Sequence, residues 1–287
     1  INRHHLGDRI EETLGEGSES TLRIIYSREK KLLGTGGGVR KASSLWGDEQ
    51  ILVINGDNLL DVNLNKVFRH HQAAAPAATM LLKPRKAGSK YTPIYLNQNG
   101  LVRSIGGKNR DGKGYIFTGV QVLSPFFLNF LPKRGAAGLV GDGYEKILRS
   151  RKRKAIVAAA ITTGYWNEIS TFPGYWEANL DFLKGRLPSG FYRGREEFTR
   201  RGLYSGKECW IGPRVDFFSP VYLGDRCAVG EGSRMGPMVL VGHDSTIGAN
   251  CRLRNVVLWP RCSISSGTNL EEALVTPFGT VRREEFE

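Results

Sequence analysis

Residues 32–38 have the sequence LLGTGGG, and residues 51–58 have the sequence ILVINGDN. Four of the first seven residues are glycine, and glycine lets backbone N–H groups approach a ligand without interference from a Cβ atom. The segment from Val39 to Trp46 can begin a helix whose amino terminus offers unpaired donors and the positive end of the helix dipole. A glycine-rich turn that leads into a helix favours a phosphate-containing ligand.

The apolar run from Ile51 to Ile54 predicts a strand buried on both faces, as in a parallel sheet. Asp57 follows the carboxyl end of this strand, where open α/β sheets bind ligands. A plain glycine-rich connection and an Asp-containing turn would each explain one half of the pattern, because a lone glycine cluster is a weak motif. The two halves in this order favour a phosphate-containing ligand together with a metal ion.

Alternating strand and helix patterns surround the two motifs. Strands are predicted at 22–26, 77–82 and 115–123, helices at 62–71 and 171–184, and a hairpin at 93–105. This alternation predicts an α/β domain over residues 1–186, with a mixed, mainly parallel sheet and helices on both faces. The chain opens in the middle of an element, so we expect this domain to lack its first βα units.

After Arg186 the pattern changes to an apolar residue at every sixth position. Glycine directly follows six of the nine in-phase residues, which are Ile211, Phe217, Leu223, Val229, Met235, Val241, Ile247, Leu253 and Trp259. Hexapeptide periodicity predicts a parallel β-helix, and three hexads per coil give about three coils. We therefore expect a linker at 187–205 and a β-helix with a C-terminal tail at 206–287.

Composition and charge narrow the classes of function. The 287 residues carry a formal net charge of +13, but no recognition helix, zinc-finger spacing or RNP-like strand supports a nucleic-acid partner. No run of about 18 apolar residues would span a membrane, and we expect no signal peptide. The four cysteines form no C-x-x-C pair, which indicates reduced, buried thiols and a cytoplasmic location.

Several motifs together resemble the sugar-1-phosphate nucleotidyltransferases, also called nucleotide-sugar pyrophosphorylases. They are NRHHLGD (2–8), LGTGG (33–37), NGDN (55–58), FTGV (117–120), GYWNEIST (164–171) and the hexads. The resemblance covers nearly the whole chain and is greatest to the mannose-1-phosphate guanylyltransferase-like branch that carries a left-handed β-helix. It implies a Rossmann-like (GT-A-like) catalytic domain.

The resemblance also implies a reaction, a cofactor and ligands. Such enzymes join a nucleoside triphosphate, here GTP by the guanylyltransferase likeness, to a sugar 1-phosphate and release pyrophosphate with Mg²⁺. Asp57 and Glu168 match the catalytic metal ligands, and Mg²⁺ suits one or two carboxylates completed by phosphate oxygens and water. The remaining matched positions are nucleotide-binding Leu33, Gly34, Thr35 and Gly36, and sugar-binding Asn58, Gly119 and Trp166.

Three departures from the family pattern bear on the site. The N-terminal triphosphate loop is missing before Ile1, which indicates a fragment or a mis-started product. Glu168 stands where the family has Asp, and Ser170 stands where it has glycine. The Glu-Lys-Pro segment before Tyr115 is absent, and Lys108 or Lys113 would be its substitute.

Other functions stay open at this point. The sugar could equally be glucose 1-phosphate, and the chain could be a non-catalytic regulatory or assembly subunit of the same fold. A hexapeptide-repeat acyltransferase that uses His243 as its base is a third hypothesis, although the large α/β domain argues against it. The ends of a short β-helix also favour a homo-oligomer.

Overall fold

The computed structural model describes residues 1–17, 23–107, 114–192 and 203–285. It divides into two compact units, one of Ile1–Gly56 with Val62–Gly164, and one of Asp57–Asp61 with Tyr165–Glu287. The division after Gly164 differs from the expected boundary at Arg186. In the expected linker at 187–205, Leu187 and Tyr192 are packed in a hydrophobic cluster, and 193–202 lie outside the described residues.

The described residues form five α-helices and 22 strands. The helices are α1 (Gly7–Leu14), α2 (Gly34–Ala42), α3 (Leu64–Ala74), α4 (Glu145–Arg149) and α5 (Phe172–Leu183). The first ten strands are β1 (Asn2–Arg3), β2 (Ser27–Arg28), β3 (Ile51–Ile54), β4 (Asn58–Leu60), β5 (Ala78–Pro84), β6 (Ile94–Leu96), β7 (Val102–Ile105), β8 (Tyr115–Leu123), β9 (Val157–Ile161) and β10 (Trp166–Glu168).

The remaining strands are short and follow one another closely. They are β11 (Leu203–Ser205), β12 (Trp210–Ile211), β13 (Asp216–Phe217), β14 (Val221–Leu223), β15 (Ala228–Val229), β16 (Arg234–Met235), β17 (Val239–Val241), β18 (Thr246–Ile247), β19 (Arg252–Leu258), β20 (Ser263–Ile264), β21 (Asn269–Thr276) and β22 (Gly279–Arg282).

The main sheet of the first unit is mixed, which confirms that part of the prediction. Its order is β7-β6-β8-β5-β9, and β3 also pairs with β8. β8 runs antiparallel to both β3 and β5, whereas β9 is parallel to β5. β3 and β5 therefore point the same way, but most neighbouring pairs are antiparallel because the reversed β8 lies between them. The predicted hairpin is confirmed as antiparallel β6 and β7.

The core of the first unit lies between this sheet and its helices. Phe127 and Tyr144 are completely buried and meet edge to face with centroids 5.0 Å apart. The Tyr144 hydroxyl donates to the Gln121 amide oxygen, and burial raises the pKa of Tyr144. On the α3 side, buried His71 bonds to the hydroxyl of Thr79, with 2.9 Å between Nδ1 and Oγ1. Burial, helped by the neighbouring His70, lowers the pKa of His71 to about 4.

Strands β11 to β21 form a parallel β-helix, as predicted. Leu203 pairs with Val221 and Val221 with Val239, so the first coils repeat after 18 residues. Val239 then pairs with Val256 and Val256 with Ala273, so the later coils repeat after 17. About four coils are present rather than the expected three, because the later coils leave the six-residue phase. The left hand of the helix stays a prediction.

The shortened coil changes which residue points inward. Val241 pairs with Leu258, which is 1% exposed, whereas Trp259, the residue in the six-residue phase, is only half-buried. Trp259 is therefore one residue out of register with the inward column, although it still packs against the core. Seven of the other eight expected positions belong to the β-helix core or pack against it, and Ile211, on the edge strand β12, is 42% exposed.

The glycines that follow the inward residues lie where neighbouring coils are closest. A Cβ on Gly212 would lie 2.7 Å from the backbone nitrogen of Glu231, and one on Gly224 would lie 2.6 Å from that of His243. Any side chain at these positions would displace the next coil. Glycine therefore recurs at these positions because the coils stack closely there, and not only because of the turn conformation.

Three of the four cysteines lie in one column of the β-helix. Cys209, Cys227, Ser245 and Cys262 occupy equivalent positions in successive coils. The Cys227 thiol lies 3.2 Å from the carbonyl oxygen of Gly242, and the Ser245 hydroxyl lies 3.2 Å from that of Trp259. All four cysteines are unbridged, so they act as small donors to backbone carbonyls, in agreement with the expected packing role.

Helix α5 packs against the β-helix, and this explains where the second unit begins. Trp176, Leu180 and Leu183 share a buried cluster with Val257 of β19 and Leu274 of β21. α5 therefore belongs with the coils rather than with the six-stranded sheet. Among the described residues, no helix combines the length and apolar character needed to cross a bilayer.

Candidate functional site

Asp57 and Glu168 lie together on a two-stranded ribbon of the second unit. β4 and β10 are antiparallel, with Asn58 opposite Glu168 and Leu60 opposite Trp166. The N–H group of Ile169 donates to the carbonyl oxygen of Asp57 over 2.9 Å. The backbone thus fixes both carboxylate residues at the same end of the ribbon.

The start of α5 supports the Glu168 side of this ribbon. Thr171 caps the helix by accepting the Gly174 N–H group on its hydroxyl over 3.3 Å, and Pro173 occupies the first turn. Gly174 has to be glycine here because a Cβ would overlap the carbonyl oxygen of Glu168. This close contact locks the helix start onto the backbone of Glu168.

One oxygen of the Asp57 carboxylate lacks a hydrogen-bond donor among the described residues. This oxygen, Oδ1, is buried. Burial is the main reason that the pKa of Asp57 lies above its usual 3.8, and the charge of Glu168 adds to the increase. The carboxylate of Glu168 accepts a hydrogen bond from the Ser170 hydroxyl, with 3.0 Å between Oε1 and Oγ. Two neighbouring carboxylates of this kind suit a cation.

This donor set fits the Mg²⁺ that the resemblance implies. Mg²⁺ requires few protein carboxylates because phosphate oxygens and water complete its shell, and a buried acceptor without a donor is available on Asp57. In the described ranges, no cluster of three or more His, Cys, Asp or Glu residues would form a closed protein cage. The chemistry of the residues therefore matches a shared, substrate-completed magnesium site.

The glycine-rich turn is positioned by the 137–139 segment of the first unit. The N–H groups of Gly36 and Gly37 donate to the Ala137 carbonyl over 2.8 and 3.1 Å, and Ala137 N–H donates to the Leu33 carbonyl. The N–H group of Leu139 donates to the Thr35 hydroxyl over 3.0 Å. The helix begins at Gly34 rather than at the expected Val39, so the glycines form its first turn. The expectation that their N–H groups face a ligand is wrong for Gly36 and Gly37.

The same contacts explain why glycines are needed. Gly34 has a φ of +69°, and a Cβ there would lie 2.7 Å from the Ala137 carbonyl oxygen. A Cβ on Gly36 would lie 3.1 Å from the same oxygen. The segment that meets this turn lies about a hundred residues later in the chain, so periodicity and local spacing contain no signal for it.

Gly119 occupies an irregularity in β8. Its φ is +77°, a region that favours glycine, and the pairing with β5 shifts register between Met80 and Leu82. The Gly119 carbonyl accepts the Asn55 N–H over 3.0 Å. This bond connects the bulge to the chain immediately after β3.

The predicted residues thus fall into two groups. Asn58 and Trp166 lie on the ribbon with the two carboxylates, in the second unit. Leu33, Gly34, Thr35, Gly36 and Gly119 belong to the first unit. Lys108 and Lys113, the two expected substitutes for the missing lysine, lie outside the described residues.

Lys83 is a candidate that the sequence analysis did not select. It lies near the carboxyl end of β5, and its ammonium group donates to the Gly164 carbonyl. Burial, with a smaller effect of Lys86, lowers its pKa. The sequence could have indicated Lys83 as a candidate because it lies at the end of a predicted strand, where α/β sheets bind ligands.

His243 lies in a cluster of charged residues on the β-helix. Its Nδ1 lies 2.6 Å from the Asp244 carboxylate, which also accepts two hydrogen bonds from Arg226. The Arg226 bonds are the main reason that the pKa of Asp244 is lowered. This exposed charge cluster joins two coils and gives no specific support to the acyltransferase hypothesis.

Comparison with known proteins gives the family of the chain. The family model "Nucleotidyl transferase" matches residues 1–185. A UTP–glucose-1-phosphate uridylyltransferase of Synechocystis sp. is 24% identical over 96% of this chain and 74% of its own length. A mannose-1-phosphate guanylyltransferase of Mycobacterium tuberculosis is 23% identical over 91% of this chain and 67% of its own length.

A solved structure supports the fold. HddC from Yersinia pseudotuberculosis superposes with a TM-score of 0.52 at 20% identity, over 62% of this chain and 75% of that protein. At this identity the likeness concerns the fold alone. The family model covers more than half of the sequence, and together with the mixed sheet and the appended β-helix it identifies the chain as a member of the nucleotidyl transferase family, within the group that acts on sugar 1-phosphates.

Proposed function

We propose that this protein transfers a nucleotidyl group from a nucleoside triphosphate to a sugar 1-phosphate and releases pyrophosphate. The observation that supports this most directly is the buried, unpartnered Oδ1 of Asp57 beside Glu168. A family of phosphoryl-transfer enzymes requires such a paired-carboxylate site because its catalysis depends on positioning and charge neutralisation.

The reaction forms one bond and breaks one bond at phosphorus. A phosphate oxygen of the sugar 1-phosphate attacks the α-phosphorus in line, and the bond to the pyrophosphate leaving group breaks. Asp57 and Glu168 would hold Mg²⁺, which supplies neutralisation of the phosphate charge when bound. Ser170 positions Glu168 through its hydrogen bond and thereby limits the extra rotational freedom that Glu has over Asp.

The substrate contacts are proposed from the resemblance, residue by residue. We propose that the Leu33–Gly36 turn contacts the nucleobase and that Asn58, Gly119 and Trp166 contact the sugar. GTP with mannose 1-phosphate is the favoured pair, and glucose 1-phosphate is the alternative sugar. We propose a cytoplasmic location for such an enzyme.

Release of pyrophosphate tests the proposal. The full-length protein is assayed with each of five triphosphates (ATP, CTP, GTP, UTP and dTTP) against mannose 1-phosphate and glucose 1-phosphate, with and without Mg²⁺. For the active pair, Asp57→Asn and Glu168→Gln should each lower kcat/KM by about 10²-fold or more. The matched control is Asp61→Asn, an exposed carboxylate on the same connection, which should stay within twofold of wild type.

Two results would overturn this function. If no pair releases pyrophosphate, the chain is a non-catalytic subunit of the same fold. If Asp57→Asn and Asp61→Asn have the same activity, the reaction does not depend on the proposed carboxylates.

A further inference from the structure

One outward face of the β-helix carries arginines in successive coils. Asp216 pairs in register with Arg234, and Arg234 with Arg252, while Asn269 follows in the next coil. Because neighbouring strands are about 4.8 Å apart, the two arginines begin from adjacent backbone positions. Like charges directly opposite each other are unfavourable in a sheet, so this juxtaposition requires an explanation.

Other charged contacts between coils of this β-helix bring opposite signs together. Arg226 forms a bidentate pair with Asp244 of the next coil, with contacts of 2.5 and 3.0 Å. Arg214 lies 3.5 Å from Glu231, also one coil away. The stacked arginines depart from this arrangement. Among the described residues, no carboxylate lies within ion-pair distance of exposed Arg252, and the nearest carboxylate oxygen to Arg234 belongs to Asp216 at 3.7 Å.

A third arginine and a glycine complete the arrangement. Arg254 lies two residues beyond Arg252 on β19 and therefore on the same face of the strand. Gly236 also lines this face, and it has to be glycine because its φ is +105° and a Cβ would overlap the carbonyl oxygen of Phe218. Arg254 also pairs with Glu271 over 3.0 Å, which anchors its guanidinium at the rim.

These residues line a surface cavity of about 320 Å³. Phe218, which is 49% exposed, forms an apolar wall beside it. We name this cavity, with Arg234, Gly236, Arg252 and Arg254, the arginine notch. Three of the residues that line this cavity are arginines, and Glu271, the partner of Arg254, also lines it.

We propose that the arginine notch binds a small phosphate-containing molecule at a site separate from the proposed carboxylate site. The planar guanidinium group matches phosphate oxygens with two parallel hydrogen bonds. A phosphate placed between Arg234 and Arg252 removes the repulsion between the stacked arginines, and Arg254 supplies a third set of donors. The exposed ring of Phe218 offers an apolar contact for the organic part of a phosphate ester.

Titration with inorganic phosphate tests the site in the full chain. Calorimetry in metal-free buffer at constant ionic strength should give saturable binding to wild type, and Arg252→Gln should weaken it by about tenfold. Arg261→Gln removes the same charge from an exposed position elsewhere in the β-helix and should leave the affinity within twofold. Metal-free buffer keeps a magnesium-dependent site from contributing to the heat.

The stability of the free variants gives a second readout. Without phosphate, Arg252→Gln should unfold at a temperature equal to or higher than wild type because it removes the like-charge contact. Added phosphate should raise the unfolding temperature of wild type more than that of the variant. The proposal is overturned if no saturable binding occurs below about 10 mM, which corresponds to only about 3 kcal/mol, or if Arg252→Gln and Arg261→Gln bind phosphate equally well.

Discussion

Asp57→Asn should stabilise the metal-free protein while it removes the response to Mg²⁺. Burial, together with the charge of Glu168, raises the pKa of Asp57 above 3.8. An acid with a higher pKa in the folded than in the unfolded state holds more protons when folded, so folding stability falls as pH rises through that interval. At neutral pH the ionised Asp57 carboxylate therefore lowers the free energy of unfolding, and the uncharged asparagine removes this destabilisation.

The size of the effect follows from the partial exposure of the site. Most of the destabilisation comes from burial of the charged carboxylate, and the charge of Glu168 adds a smaller part. Asp57 is only half-buried, so screening reduces the gain to about 1 kcal/mol, or an increase of about 3–5 °C in the unfolding temperature. For wild type, free Mg²⁺ at ten times its Kd should add about 1.4 kcal/mol, and Asp57→Asn should lose most of that increment.

Thermal unfolding of wild type, Asp57→Asn and Asp61→Asn checks this reasoning at pH 7 and near pH 4, with and without MgCl₂. At pH 7 without metal, only Asp57→Asn should be more stable than wild type, and its advantage should shrink as the pH falls. A destabilised Asp57→Asn, or one with the wild-type response to Mg²⁺, would refute the idea of a strained carboxylate that a cation relieves.

Three further changes test the architecture. Gly230→Ala should cost about 1–3 kcal/mol because its Cβ would lie closer than 3 Å to the next coil, whereas Gly190→Ala, with open space around it, should be neutral in denaturant unfolding. Thr35→Val should cost about 1 kcal/mol by leaving the Leu139 N–H without its acceptor, and equal stability of the two proteins would contradict that bond. His71→Gln should lessen the acid sensitivity between about pH 6.5 and 4, since a histidine whose pKa falls to about 4 destabilises the fold by up to about 3 kcal/mol as pH drops through this range; an unchanged pH profile of unfolding would exclude it.

The β-helix could be predicted well from the sequence because its signal is local and repeated. Each hexad repeats one inward apolar residue and one small residue, because every coil has to fill the core and stack closely on the next coil. The prediction failed where a coil lost one residue: Leu258, and not Trp259, lies in the core. A single deletion leaves the apolar character of the sequence intact, so the change of phase is visible only through strand pairing.

The first unit was less predictable because its decisive contacts are distant in sequence. Strand periodicity located β8, but its insertion in reverse between β3 and β5 depends on long-range pairing. Likewise, the glycines of the turn at 34–37 suggested N–H groups available to a ligand, and two of those groups are occupied by Ala137. For the candidate site, the motifs selected Asp57 and Glu168, but the unpartnered oxygen of Asp57 and the hydrogen bond from Ser170 are visible only in the three-dimensional structure.

The packing of α5 on the coils has a practical consequence for the design of truncated fragments. A fragment that begins at Gly206, where the β-helix was expected to start, would uncover Leu274 together with the neighbouring side chains that α5 now shields from water. Such a fragment would expose an apolar surface and should aggregate during expression. A fragment that begins at Tyr165 would retain this cover because it includes α5.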